Sequence, residues 1–124
     1  MESMTAPLKL SVVISTYNRR DLLISRTLPA IFNQDLPADD FEVIVIDDGS
    51  TDGTGAALRE LRPACALRIL EQPNRGPSAA RNHGVQAARG NLLLFLDDDI
   101  ICGPHLLKQH VAAHTGAEPR VVFG

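Results

Sequence analysis

The chain has 124 residues, of which 44% are hydrophobic and 22% charged, and its formal net charge is −3. That size and apolar content suit a single folded domain and exclude a disordered chain, and the acidic balance argues against a nucleic-acid partner. No run approaches the roughly 18 apolar residues of a membrane span, and the first ten residues lack a basic segment followed by an apolar one, so neither span nor leader is expected.

In chain order, LKLSVVIST (8 to 16) holds a compact β-branched run, Val12, Val13 and Ile14, which predicts a strand covered on both faces. From Arg19 to about Asn33 the apolar residues Ile24, Leu28, Ile31 and Phe32 fall at helical spacing. Asn18 is placed to cap that helix, and Pro29 should kink or shorten it. A second buried strand, Val43 to Ile46, breaks abruptly into DDGSTDGT, and a helix follows over Thr54 to Leu61 until Pro63. Ser50 and Asp52 read as turn and cap residues ahead of that helix.

ALRIL (66 to 70) predicts a short third strand, followed by the loop QPNRGPS. Ala80, Gly84, Ala87 and Ala88 then mark a helix whose small-residue face can approach a sheet closely, with Gly90 as its stop. LLLFL (92 to 96) is the fourth strand, Pro104 to about His114 the last helix, and RVVFG the beginning of a fifth strand. Alternation of strands and helices predicts an α/β fold, with a mostly parallel central sheet and helices on both faces. Ligands of such folds collect beyond the carboxyl ends of the strands.

Three polar clusters fall there: Ser15, Thr16, Tyr17 and Asn18 after the first strand, Asp47 and Asp48 after the second, and Asp97, Asp98 and Asp99 after the fourth. Two carboxylates about 6 Å apart at an effective dielectric near 20 repel by roughly 3 kcal/mol, so the aspartate triple demands a cation or a proton. Mg²⁺ or Mn²⁺, completed by phosphate oxygens, would relieve it. A lone Asp-Asp after a strand is more often a cap or turn, but a turn does not need three aspartates behind a buried strand. His83, His105, His110 and His114 read as ordinary structural residues, because the i, i+4 pair His110 and His114 has no HExxH around it. Cys65 and Cys102 have no CxxC spacing and read as reduced thiols, which points to the cytoplasm, or for a longer parent protein its face of a membrane.

Neither GxGxxG nor GxxxxGK[ST] is present, which argues against a dinucleotide site or a P-loop. Together, SVVISTYNR (11 to 19), VIVIDDGSTDGT (43 to 54), NRGPSAARNHG (74 to 84) and LLLFLDDDI (92 to 100) resemble the family 2 glycosyltransferases, which have the Rossmann-like GT-A fold. The resemblance implies a nucleoside-diphosphate sugar as ligand, with a UDP-sugar favoured. Ser15, Thr16 and Tyr17 would line the base pocket, and Asp47, with Asp48 close by, would accept a hydrogen bond from the base. Arg75 or Arg81 would approach the base or the diphosphate. Asp99, then Asp97, would hold the metal of a DxD-like element, with Asp97 and Asp98 also open to metal, ribose or sugar contacts.

In that family the acceptor site and its general base come from a later part of the chain, so the catalytic base is expected beyond Gly124. Residues 1–124 would then be a donor-binding part with little transferase activity alone, in an enzyme that inverts the anomeric carbon. An open sheet edge is expected to make it self-associate, through Val121 to Phe123. A non-catalytic nucleotide or metal-binding module and a Mg²⁺-dependent receiver domain are the alternatives.

Overall fold

The computed structural model describes residues 8–114 and, as backbone alone, 120–123. The described strands are β1 (Leu10–Thr16), β2 (Phe41–Asp47), β3 (Ala66–Glu71), β4 (Leu92–Phe95) and β5 (Arg120–Phe123). They form one sheet in the order β3-β2-β1-β4-β5, every pair parallel. The α/β class and the parallel sheet are therefore as the alternation of periods predicts. The side chains of residues 120–123, on which the expected self-pairing rests, lie outside the described residues.

Continuous apolarity in β1 and β2 reflects burial on both faces. Val12, Ile14, Val43 and Val45 pack in the larger core with Leu23, Leu28, Ile31, Leu58 and Leu107. Val13, Ile44 and Ile46 face a smaller core with Ala80 and Phe95. The first face is covered by α1 (Arg20 to Phe32), α2 (Thr54–Arg59) and α4 (Leu106–Ala113), the second by α3 (Pro77–Ala87). The strand order runs one way from β1 to β3 and then reverses across β1 to β4. That reversal sends α3 to the opposite face, as a right-handed crossover requires.

Pro29 does not break α1. The run consists of α-helical Arg20–Leu22, a π-helical turn Leu23–Thr27 and α-helical Leu28–Phe32, with Pro29 in the first turn of the last piece. The wider turn sits just where a proline has no N–H to give the ladder. Nor does Asn18 cap it by its side chain. Its φ is +53°, and its Oδ1 accepts from the Thr51 amide at 2.8 Å, while Asp52 Oδ2 accepts the Arg20 amide at 3.0 Å. The β2–α2 loop thus caps α1 from across the sheet.

The small-residue face of α3 packs as expected: a methyl on Gly84 would come within 2.5 Å of Val13 Cγ1. Gly90 has a different role from the one expected. The helix already ends at Ala87, and a Cβ at Gly90 would lie 2.6 Å from both Leu10 C and Ser11 N. Since those are backbone atoms of β1 they cannot rotate away. Gly90→Ala is expected to destabilise the fold by about 1–3 kcal/mol, read from the urea midpoint at unchanged m-value.

Candidate functional site

The strand order reverses between β1 and β4, and beyond their carboxyl ends opens a cleft of about 610 Å³. From β1 come Ser15, Thr16 and the half-exposed ring of Tyr17; Asp48 follows β2. Asp97, Asp98 and Asp99 after β4 line it too, with Arg81 from α3. One cleft thus brings these groups together. Arg19, Asn74, Gly76 and Pro77 also line the cleft and were not singled out in the sequence. The amino end of α3 is thereby exposed to whatever the cleft holds, and such an end favours anions.

Asp98 is the most enclosed of the triple. Its Oδ2 accepts from Thr16 Oγ1 at 2.9 Å, and its backbone carbonyl accepts from Thr27 Oγ1 at 2.7 Å. Burial raises its pKa; the Thr16 hydrogen bond and the Arg19 charge oppose that, while Asp99 and Asp97 add to it. Arg19 Nε lies 3.6 Å from Asp98 Oδ1, and its Nη1 3.5 Å from Asp99 Oδ2. Arg81 Nη2 lies 3.8 Å from Asp97 Oδ1. Each carboxylate of the triple thus faces a guanidinium, which partly relieves the repulsion that the sequence presents.

Asp47 and Asp48 diverge, as neighbours at the end of a strand must. Asp48 is buried, its Oδ1 accepting from Gln72 Nε2 and the Arg75 amide, both at 2.8 Å, and its Oδ2 from the Gly76 amide at 2.9 Å. Burial alone would raise its pKa. The donors of Arg75, Gln72 and Gly76 outweigh burial and hold it below the usual carboxylate range. Asp47 lies outside the cleft lining; its Oδ1 accepts the Ser50 amide at 3.0 Å, and it borders a smaller pocket with Glu71 and Gln72. Of the two carboxylates after β2, the one that lines the cleft is Asp48. Of the two candidate arginines, Arg81 lines the cleft; Arg75 does not, and contributes its amide to Asp48.

Gly49 makes this arrangement possible. Its φ is +82°, and a Cβ there would meet the Asn74 amide nitrogen at 2.8 Å. Gln72, Asn74 and Gly76 are contacts that no spacing rule reveals, because they depend on the loop after β3 folding back over the end of β2.

Among the described residues, no three His, Cys, Asp or Glu side chains are grouped so as to hold a metal ion by themselves. The half-exposed or more exposed carboxylates of Asp97 and Asp99 fit a hard cation that takes one or two protein oxygens and completes its sphere with water and phosphate. No histidine lines the cleft. His105 pairs with Asp35, and His110 and His114 stack on each other along α4 with centroids 6.1 Å apart. Both cysteines are free; burial pushes the Cys65 thiol up to about 11. No helix among the described residues is long and apolar enough to cross a membrane.

The sequence model of Glycosyl transferase family 2 matches residues 11–124. Validoxylamine A glucosyltransferase of Streptomyces hygroscopicus subsp. limoneus is 42% identical over 118 residues, covering 93% of this chain and 26% of that protein. A structure of TarS from S. aureus in complex with UDP-GlcNAc aligns over 85% of this chain and 30% of its own, with 34% identity and a TM-score of 0.79. Mannosyltransferase PcManGT from Pyrobaculum calidifontis, in complex with GDP-Man and Mn2+, aligns over 80% of this chain and 31% of its own, with 34% identity and a TM-score of 0.69. The chain spans between a quarter and a third of the length of the first curated relatives it matches.

Proposed function

Because this chain belongs to glycosyl transferase family 2, we propose that it is the nucleotide-sugar-binding part of a metal-dependent glycosyltransferase. The observation that carries the reading is the meeting of four sequence-distant groups in one cleft at the reversal of the strand order: the end of β1, Asp48, the start of α3 and the aspartate triple. A receiver-type domain is set aside by the family match. The donor would be a nucleoside-diphosphate sugar, as neighbours at 34% identity hold UDP-GlcNAc and GDP-Man; uracil is favoured because the first aligns with the higher TM-score, 0.79 against 0.69.

The half-exposed ring of Tyr17 would stack on the base. Asp48, with two oxygens and three chain donors, keeps acceptor capacity for a base or ribose hydrogen. Arg81 and the amino end of α3 stand where a diphosphate would be neutralised. Asp99 and Asp97 would hold Mn²⁺ or Mg²⁺, which when bound stabilises negative charge on the departing diphosphate. An acceptor oxygen would displace the nucleoside diphosphate at the anomeric carbon with inversion, and its proton would pass to a general base. We assign neither the acceptor site nor that base to these 124 residues, and this chain alone should have little transferase activity.

Calorimetry with UDP and GDP, with and without Mn²⁺, tests the reading. UDP should bind about tenfold more tightly with Mn²⁺ present, and Asp99→Ala should remove that gain while leaving metal-free UDP affinity within about twofold. Absence of nucleotide binding in both conditions would overturn it.

A further inference from the structure

The pairing of Arg19 with the aspartate triple carries an inference that rests on the donor-site reading. Three carboxylates face two guanidiniums at the mouth of the cleft, and at 3.5–3.8 Å none of the contacts is a tight bidentate pair. The arginine side chains are exposed, Arg19 at 49% and Arg81 at 40%, so each pair is weak, salt-sensitive and free to re-form elsewhere. A divalent cation on Asp99 or Asp97 competes for the same carboxylate with a guanidinium and repels it. A diphosphate arriving at the same mouth needs one.

We propose that Arg19 is an exchangeable counter-ion, which pairs with Asp98 and Asp99 while the metal is absent and passes to the diphosphate when the metal takes Asp99. Arg81 on Asp97 is the second member of the same device. Arg19 is thus a positioning residue that couples two ligands. It opposes the metal alone, supports the diphosphate once the metal is bound, and makes each ligand improve the site for the other, as linkage demands.

The test compares Mn²⁺ affinity without nucleotide, by electron paramagnetic resonance of free Mn²⁺, with UDP affinity at saturating Mn²⁺, by calorimetry. Arg19→Met should bind Mn²⁺ alone about 3- to 10-fold more tightly and UDP about 3- to 10-fold more weakly, opposite signs that a loss of folding cannot give. Arg20→Met removes the same charge one residue away, from a guanidinium that pairs with Asp21 instead. It should shift both affinities by less than about twofold, which separates local pairing from long-range charge. Arg19→Lys keeps the charge and should keep Mn²⁺ affinity within about twofold of the parent chain. Unchanged or weaker Mn²⁺ binding in Arg19→Met, beside a parent chain that binds both ligands, overturns the exchange alone. A parent chain that binds neither Mn²⁺ nor UDP overturns the donor-site reading and the exchange together.

Discussion

Glu42→Ala is expected to lower unfolding free energy by about 3–5 kcal/mol, the usual cost of removing one partner from a buried charge network. Glu42 lies near the amino end of β2 with no exposed surface. Its Oε2 accepts from Ser11 Oγ and from the Arg89 amide, both at 2.7 Å, and its Oε1 faces Arg68 Nη1 at 3.3 Å. Ser11 Oγ in turn accepts the Gly90 amide at 2.8 Å, and Arg68 also donates to the Ala87 carbonyl. One carboxylate therefore joins β1, β2, β3 and the turn between α3 and β4.

Among the described residues, every buried side-chain nitrogen and oxygen has a partner, so alanine at 42 would leave donors buried with nothing to accept them. Glu42→Gln keeps the shape and one acceptor but turns an amide toward Arg68, and should cost less, about 1–2 kcal/mol. Urea unfolding followed by circular dichroism measures both. Glu42 is at the amino end of β2, about 16 Å along the strand from the cleft end, so the folded fraction should bind UDP normally. A loss below about 1 kcal/mol for Glu42→Ala would show that the network is not what joins the strands.

Asp48→Asn should cost about 2–3 kcal/mol and weaken UDP binding at least about tenfold, because an amide replaces an acceptor that serves three donors. One or more of the Arg75 amide, the Gly76 amide and Gln72 Nε2 would then meet another N–H. The loop they anchor carries the start of α3 into the cleft, so its release disorders that wall as well. Wild-type affinity in a folded Asp48→Asn protein would dissociate the loop from the site.

Acid titration gives a second reading of the same carboxylate. Its folded pKa lies below the unfolded value, so the ionised form is favoured by folding. Its contribution is complete above the ordinary aspartate pKa near 4 and is lost as pH falls through the depressed folded value. The stability difference between the parent chain and Asp48→Asn should therefore be constant above about pH 5 and shrink below about pH 4.

The elements, and the end of the sheet where the site lies, are legible in the residues alone. Continuous β-branched runs at Val12 to Ile14 and Val43 to Ile46, helical spacing between them, and acidic residues at strand ends leave little choice but a parallel sheet with ligands beyond its carboxyl edge. Burial forces that periodicity onto the residues, so it can be read back. Even the close approach of α3 was written in Ala80 and Gly84.

Partnership between distant residues, by contrast, emerges with the folded chain. Thr16 reaches Asp98 across 82 positions of sequence, Arg89 and Ser11 converge on Glu42, and Asp48 rather than Asp47 enters the cleft. Asn18 and Gly90 have the residue types of a cap and a stop, yet they serve the β2–α2 loop and the approach of β4 to β1. Periodicity records which way a side chain is buried, because solvent acts on each residue separately. A hydrogen bond or ion pair depends on where two distant segments meet, and the strand order that fixes their meeting has no local signature in either of them.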